Sequence, residues 1–182
     1  MPLVDEASLL AIIKLTKEEN DWGGVMDAMR EGASNASVAE AGCRALMNLI
    51  HNNADNRKRI GEAGGIAMIL SMMEVHGASN AEVAKQGCWA LSNLACNNAD
   101  NKKSIGEADG IAMVLSMMEV HGASSAEVAE EACGALFNLA FNDDNKRKIL
   151  AANGVSMVER MKSTWARNAG VKKYADMALS QL

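Results

Sequence analysis

The sequence predicts an all-α fold, a right-handed α-solenoid of about four three-helix units, on three observations. The first is composition: 49% of the 182 residues are hydrophobic but only 3% aromatic, with 31 alanines, 13 methionines, two threonines and one proline. Alanine and methionine favour helices, and the shortage of β-branched and aromatic residues argues against a sandwich or barrel. The second is internal repetition. GCRALMNL at 42–49 returns as GCWALSNL at 87–94 and as ACGALFNL at 132–139, an offset of 45 residues each time. Residues 61–97 and 106–142 share 28 of 37 positions. The third is that each unit divides into three stretches of helical periodicity separated by Asn, Gly and Ser. A repeat of this length built from helices is one that stacks on its neighbours to bury a continuous core.

Each element follows in chain order. Residues 5–20 read as an apolar helix carrying Leu9, Leu10, Ile12 and Ile13, so 1–20 is expected to be an N-terminal cap or partial repeat. A first unit covers 21–53 and is four residues shorter between Gly24 and Gly42 than the later copies. A second covers 54–98. Its first helix is expected over NADNRKRIGEAG, capped by Asp55 or Asn56 and closed at Gly64–Gly65. Its second helix, GIAMILSMMEVH, places Ile66, Ile69, Leu70 and Met73 at helical spacing and stops at Gly77. The third begins after Ser79 or Asn80, with Val83, Gly87, Leu91 and Leu94 on one stripe and Ala84, Cys88 and Ala95 beside it. The small residues Ala84, Gly87 and Ala90 let helices approach closely. A third unit covers 99–142. A fourth, 143–182, is degenerate and cap-like, keeping Ala178–Leu179 but placing Asp176 where Cys133 aligns.

Charge and motifs exclude several functions. The net charge is −5, with −9 over residues 1–142 and +4 over 143–182, which disfavours sequence-independent nucleic-acid binding. No run of about 18 apolar residues offers a membrane span, and MPLVDEASLL lacks the basic start of a secretory signal. Cys43, Cys88 and Cys133 recur inside the apolar stripe and read as small buried core residues. Cys96 lies off it. Four cysteines without framework spacing suggest a reducing, intracellular compartment, cytoplasmic or nuclear. His76 and His121 end second helices, where a cation suits the helix dipole, and no metal-ligand spacing accompanies them. No phosphate-binding, nucleophile-elbow or dinucleotide motif occurs. No catalytic role, cofactor or metal is therefore expected. The basic clusters 57–59, 102–103 and 146–148 repeat with the unit; they read as a solvated helix face, or as a positive ladder along one edge facing an acidic partner or lipid headgroups.

NKKSIGEADGIAMVLSMM followed by AEVAEEACGALFNLA resembles the armadillo repeat, and GCWALSNLA at 87–95 is closest in type to importin-α-like repeats. The resemblance covers nearly the whole chain, most strongly 42–142. It implies a concave groove lined by third helices, in which an Asn near each helix end binds the main chain of an extended peptide. Asn48, Asn93 and Asn138 match that position, and Gln181 stands at the fourth. Trp89 matches the Trp that clamps ligand side chains, while Arg44 and Gly134 stand where Trp would be. The family's usual proline at the start of the second helix is missing, with Ala67 and Ala112 nearest.

The residues offer an independent reading of the same face. The nine differences between units two and three include 85, 89, 92 and 96, spaced as one face of a helix. That face reads Glu40, Arg44, Met47, His51, then Lys85, Trp89, Ser92, Cys96, then Glu130, Gly134, Phe137, Phe141. Conserving a core while varying one face around a constant Asn suits a surface that holds a main chain and discriminates side chains; drift on an exposed face is the plainer reading. The expected function is a non-enzymatic module binding an extended peptide or disordered segment, without nucleic acid or membrane. Asn48, Asn93, Asn138, Trp89, Arg44, Lys85, Glu40, Glu130, Phe137 and Phe141 are its candidate contacts. The alternative is a structural or self-associating scaffold whose exposed end repeats meet each other. An excerpt of a longer array or a designed repeat protein would read the same way.

Overall fold

Asparagine side chains cap half of the twelve α-helices among the described residues. In a computed structural model describing residues 5–18 and 20–182, Asn35, Asn53, Asn80, Asn98, Asn142 and Asn168 each accept a backbone N–H from the first turn that follows. Asp21 and Ser125 do the same. Each such cap satisfies donors that a helix N-terminus leaves open and contributes about 1 kcal/mol. Residues 1–4 of the stretch tested for a secretory signal lie outside the described residues.

The caps delimit α1 (Glu6–Glu18), α2 (Trp22–Glu31), α3 (Ala36–Ile50), α4 (Ala54–Glu62) and α5 (Gly65–Met72), which a π-helical turn continues over Met73–Gly77. Then come α6 (Ala81–Ala95), α7 (Ala99–Glu107), α8 (Gly110–His121), α9 (Ala126–Leu139), α10 (Asp143–Ala151), α11 (Gly154–Thr164) and α12 (Ala169–Gln181). No strand occurs among the described residues, and the fold is an all-α, armadillo-like solenoid. The turns into α2, α5, α8 and α11 each contain a residue at positive φ: Asn20, Gly64, Asp109 and Asn153. Glycine, asparagine and aspartate tolerate this left-handed conformation best, so Asp109 can replace Gly64 without altering the corner.

The cap of α4 is Asn53, not Asp55 or Asn56 as the sequence suggested. Asn56 is unavailable because its side chain is buried between units, donating from Nδ2 to Leu49 O at 2.8 Å and to Asn20 Oδ1 at 2.8 Å. Asn101 likewise donates to Leu94 O and Arg57 O, both at 2.9 Å, and Asn145 to Lys102 O at 2.7 Å. A glycine makes room for the amides of Asn101 and Asn145, which cross from the next unit. A Cβ on Gly61 would lie 2.0 Å from Asn101 Oδ1, and one on Gly106 1.8 Å from Asn145 Oδ1.

Second helices are tied in the same direction. Carbonyl oxygens only accept, so the ring N–H of His76 donates to Ala33 O at 2.8 Å and that of His121 to Gly77 O at 2.7 Å. Trp165 Nε1 takes the equivalent role toward Gly122 O at 2.7 Å. The two histidines therefore connect units, beyond any interaction with their own helix ends.

The third helices α3, α6, α9 and α12 form a row, each packed on the next. Leu46, Leu91 and Leu136, at successive repeat positions, are fully buried within it. Each such leucine contributes about 1.5–3 kcal/mol. Met29 lies over Gly42 and Met73 over Gly87, where a Cβ would come within 2.2 and 2.4 Å of the methionine Cγ. Cys43, Cys88 and Cys133 are buried in this core, and burial pushes the thiols of Cys43 and Cys133 up to about 12. Thiols held this far from ionisation pack as small apolar groups.

Candidate functional site

The diversified face of the third helices opens on a hollow of about 240 Å³. α6 contributes Trp89, Ser92, Asn93 and Cys96, and α9 contributes Glu131, Gly134 and Asn138. His51 and Asn52 enter from the end of α3, Arg57 from α4, and Tyr174 from α12. Helical spacing explains the first seven, since positions three and four apart share a face. The other four reach the hollow only because the units stack.

The asparagines are already oriented. Asn48 Nδ2 donates to Arg44 O at 2.9 Å, and Asn93 Nδ2 to Trp89 O at 3.0 Å, one helical turn back in each case. Asn138 instead reaches across to the preceding unit, donating to Ser92 Oγ at 3.0 Å and Ser92 O at 3.2 Å. His51 Nδ1 lies 3.3 Å from Asn93 Oδ1. An amide has four hydrogen-bonding positions, so these contacts fix each side chain and leave others open.

The sequence-derived contacts do not all converge. Trp89, Asn93 and Asn138 meet in the main hollow. Arg44 and Asn48 sit in a second one of about 170 Å³, against Leu10, Ile13 and Lys14 of α1. Glu40 is paired with Arg44 at 2.8 Å, and Lys85 with Glu82 at 2.6 Å. The carboxylate of Glu130 lies against Gly170 in the first turn of α12, where a Cβ would be 1.9 Å from Oε2. Phe137 and Phe141 pack edge to face with ring centres 5.0 Å apart, and Lys102 Nζ stands 5.3 Å from the centre of the Phe141 ring.

Four residues of the hollow, Asn52, Arg57, Glu131 and Tyr174, were neither candidate contacts nor on the diversified face. Glu131 differs from Gln86 at the equivalent place but lies off the four-residue stripe. Burial pushes its carboxyl up to about 7, the nearby Glu130 adds to this, and Lys85 opposes it. Tyr174 stands where units two and three carry Gln86 and Glu131, so no other unit has a ring there; it occupies the space beside Gly134, where a Cβ would meet its ring at 3.4 Å. Arg57 belongs to a basic cluster that otherwise faces solvent. Its neighbours Lys58 and Arg59 pair with Glu62 and Asp55 along their own helix.

Residues 52–96, spanning α4 to α6, match the armadillo/beta-catenin-like repeat family. This segment is similar to an armadillo repeat. Internal identity extends the armadillo pattern to 106–142. A solved crystal structure titled as an engineered protein, a Northeast Structural Genomics Consortium target, shares the fold. Its TM-score is 0.71 at 21% identity, over 96% of this chain and 79% of that one. No curated protein matches the sequence. Armadillo repeats generally serve protein interaction, so the match over this segment suggests a protein-interaction scaffold. No helix among the described residues is long and apolar enough to cross a membrane.

Proposed function

We propose that the protein is a non-enzymatic module that holds an extended peptide or disordered segment along the row of third helices. The observation supporting this most is the convergence of Trp89, Asn93 and Asn138 on one open hollow. The asparagines are held so that their remaining amide positions can pair with an incoming main chain, and Trp89, only partly buried, offers an aromatic wall of the kind that anchors ligands. Arg44 and Asn48, in their own hollow against α1, extend the same surface toward the N-terminal end. Phe137, Phe141, Lys85, Glu40 and Glu130 are neighbours that shape the groove's edges through their partners within the chain. The proposed setting is intracellular, cytoplasmic or nuclear, consistent with three buried free thiols.

Selection from a displayed peptide library against the purified protein tests this, with Asn93→Ala as the matched variant. Peptides recovered by the wild type should bind the variant at least tenfold more weakly, while helicity and melting stay unchanged. Equal recovery by both proteins would sink the groove reading. A self-associating scaffold is the second reading, favoured by Leu15 of α1, which is 57% exposed. Sedimentation at several concentrations separates the two, because a strict monomer removes self-association.

A further inference from the structure

Arg57, Lys102 and Lys146 occupy one position of the first helices α4, α7 and α10, and the chain uses two of these three cations itself. Lys102 faces the Phe141 ring, 5.3 Å from its centre, and Lys146 Nζ donates to Gln181 O at 2.7 Å. Among the described residues Arg57 has neither kind of partner. The position that carries Phe141 in unit three carries Cys96 in unit two, so no ring covers the guanidinium. Among the described residues no carboxylate pairs with it, and its Nε is shut off from solvent without an acceptor. Glu131, the one carboxylate lining the same hollow, forms no ion pair with it, and Lys85 is paired with Glu82 instead.

With Nε closed off, the terminal nitrogens of this half-buried guanidinium are the donors an incoming ligand can meet, and a planar carboxylate matches their spacing. From this geometry we infer that Arg57 is a carboxylate-binding subsite of the groove, receiving an acidic side chain or the C-terminal carboxylate of the bound segment. Trp89 and Asn93 line the same hollow, so an anion at Arg57 would be read in register with the main chain held beside it. Residues 1–142 carry −9, which opposes an acidic run in the ligand. The subsite therefore takes a single carboxylate at one register rather than a polyacidic tract. This inference rests on the groove reading and specifies the chemistry of its ligand.

The test repeats the library selection with wild type, Arg57→Gln, Arg57→Lys and Cys96→Phe, each first shown to melt like the wild type. Wild-type selection should enrich Asp or Glu, or a free C terminus, at one register position. Arg57→Gln should lose that preference and bind the selected peptides about tenfold or more weakly. Arg57→Lys should fall between, keeping the charge but not the fork. Cys96→Phe should behave like Arg57→Gln, by covering the cation as Phe141 covers Lys102. Synthetic peptides carrying Asn for Asp, or an amidated C terminus, then assign the carboxylate to a side chain or to the terminus. Recovered peptides without an acidic preference, or a preference that survives Arg57→Gln, overturn the carboxylate subsite and leave the groove standing. No recovery by the wild type, or recovery unaffected by Asn93→Ala, overturns the groove and the subsite with it.

Discussion

Units two and three are close to copies, and their differences are more instructive than their likeness. Residues 65–79 and 110–124 differ only at Ile69 and Val114, yet Met73–Gly77 wind as a π turn while α8 runs on as a regular helix to His121. What differs is the neighbour. Met73 lies over Gly87, whereas the equivalent place on α9 is Ala132. The exchange of Trp89 for Gly134 has a longer reach. In unit two the groove's aromatic wall comes from the unit's own third helix. In unit three Tyr174 of α12 fills the space beside the glycine. A repeat position can thus be kept in shape by the next unit after its own side chain is lost.

The strongest way to break the comparison is at the buried asparagines between units. Asn101 serves two backbone carbonyls and Asn145 one. Asn101→Ala should therefore cost about 2–4 kcal/mol and Asn145→Ala about 1–2 kcal/mol in urea unfolding, since each stranded carbonyl is desolvated without a partner. Equal losses would show that the two boundaries are held by packing instead. Next in size, Gly134→Trp places a ring where Tyr174 stands. It should lower stability by about 1–3 kcal/mol through overpacking, and Tyr174→Ala in the same chain should recover much of that.

Glu131 is the group of the hollow whose carboxyl is raised by burial. Its folded carboxyl, near 7, lies above the ordinary value of 4.5. The unfolded chain therefore releases this proton first, and the group's contribution to stability is present below pH 4.5 and lost as pH rises toward 7. Glu131→Gln should remove that loss, raising stability at pH 8 by about 1–2 kcal/mol once solvent screening is allowed for, with little change at pH 4. Thermal melts at the two pH values measure it, and a pH-independent effect would point to packing alone. The smallest effect is expected from Gly87→Ala. The methyl must displace Met73, but Ala132 already carries one against α8, so the cost should be about 1 kcal/mol or less. NMR shifts over 73–77 would report whether the π turn reverts to α.

Much of the fold was legible in the sequence because a repeat writes its core several times. Leu46, Leu91 and Leu136, with Cys43, Cys88 and Cys133, are buried where a helical stripe at a 45-residue offset placed them. The site was legible in part. Trp89, Asn93 and Asn138 share a hollow because one helix face and one stacking step suffice to bring them together. Glu131 and Tyr174 were missed because neither carries a repeating signal, and Arg57 because its cluster looks like any solvated basic run.

The low aromatic content and the 45-residue period by themselves determined an all-α array with an aliphatic core. Local helical periodicity and small residues specify such a core without reference to distant parts of the chain. Only the tertiary structure decided how the six aromatics are spent. Trp165 donates to Gly122 O, Trp22 lies 5.6 Å from the Arg59 guanidinium, Phe141 covers Lys102, and Tyr174 joins Trp89 in the groove. These pairings cross from helix to helix and unit to unit. They depend on the approach of stacked surfaces, which no single repeat encodes.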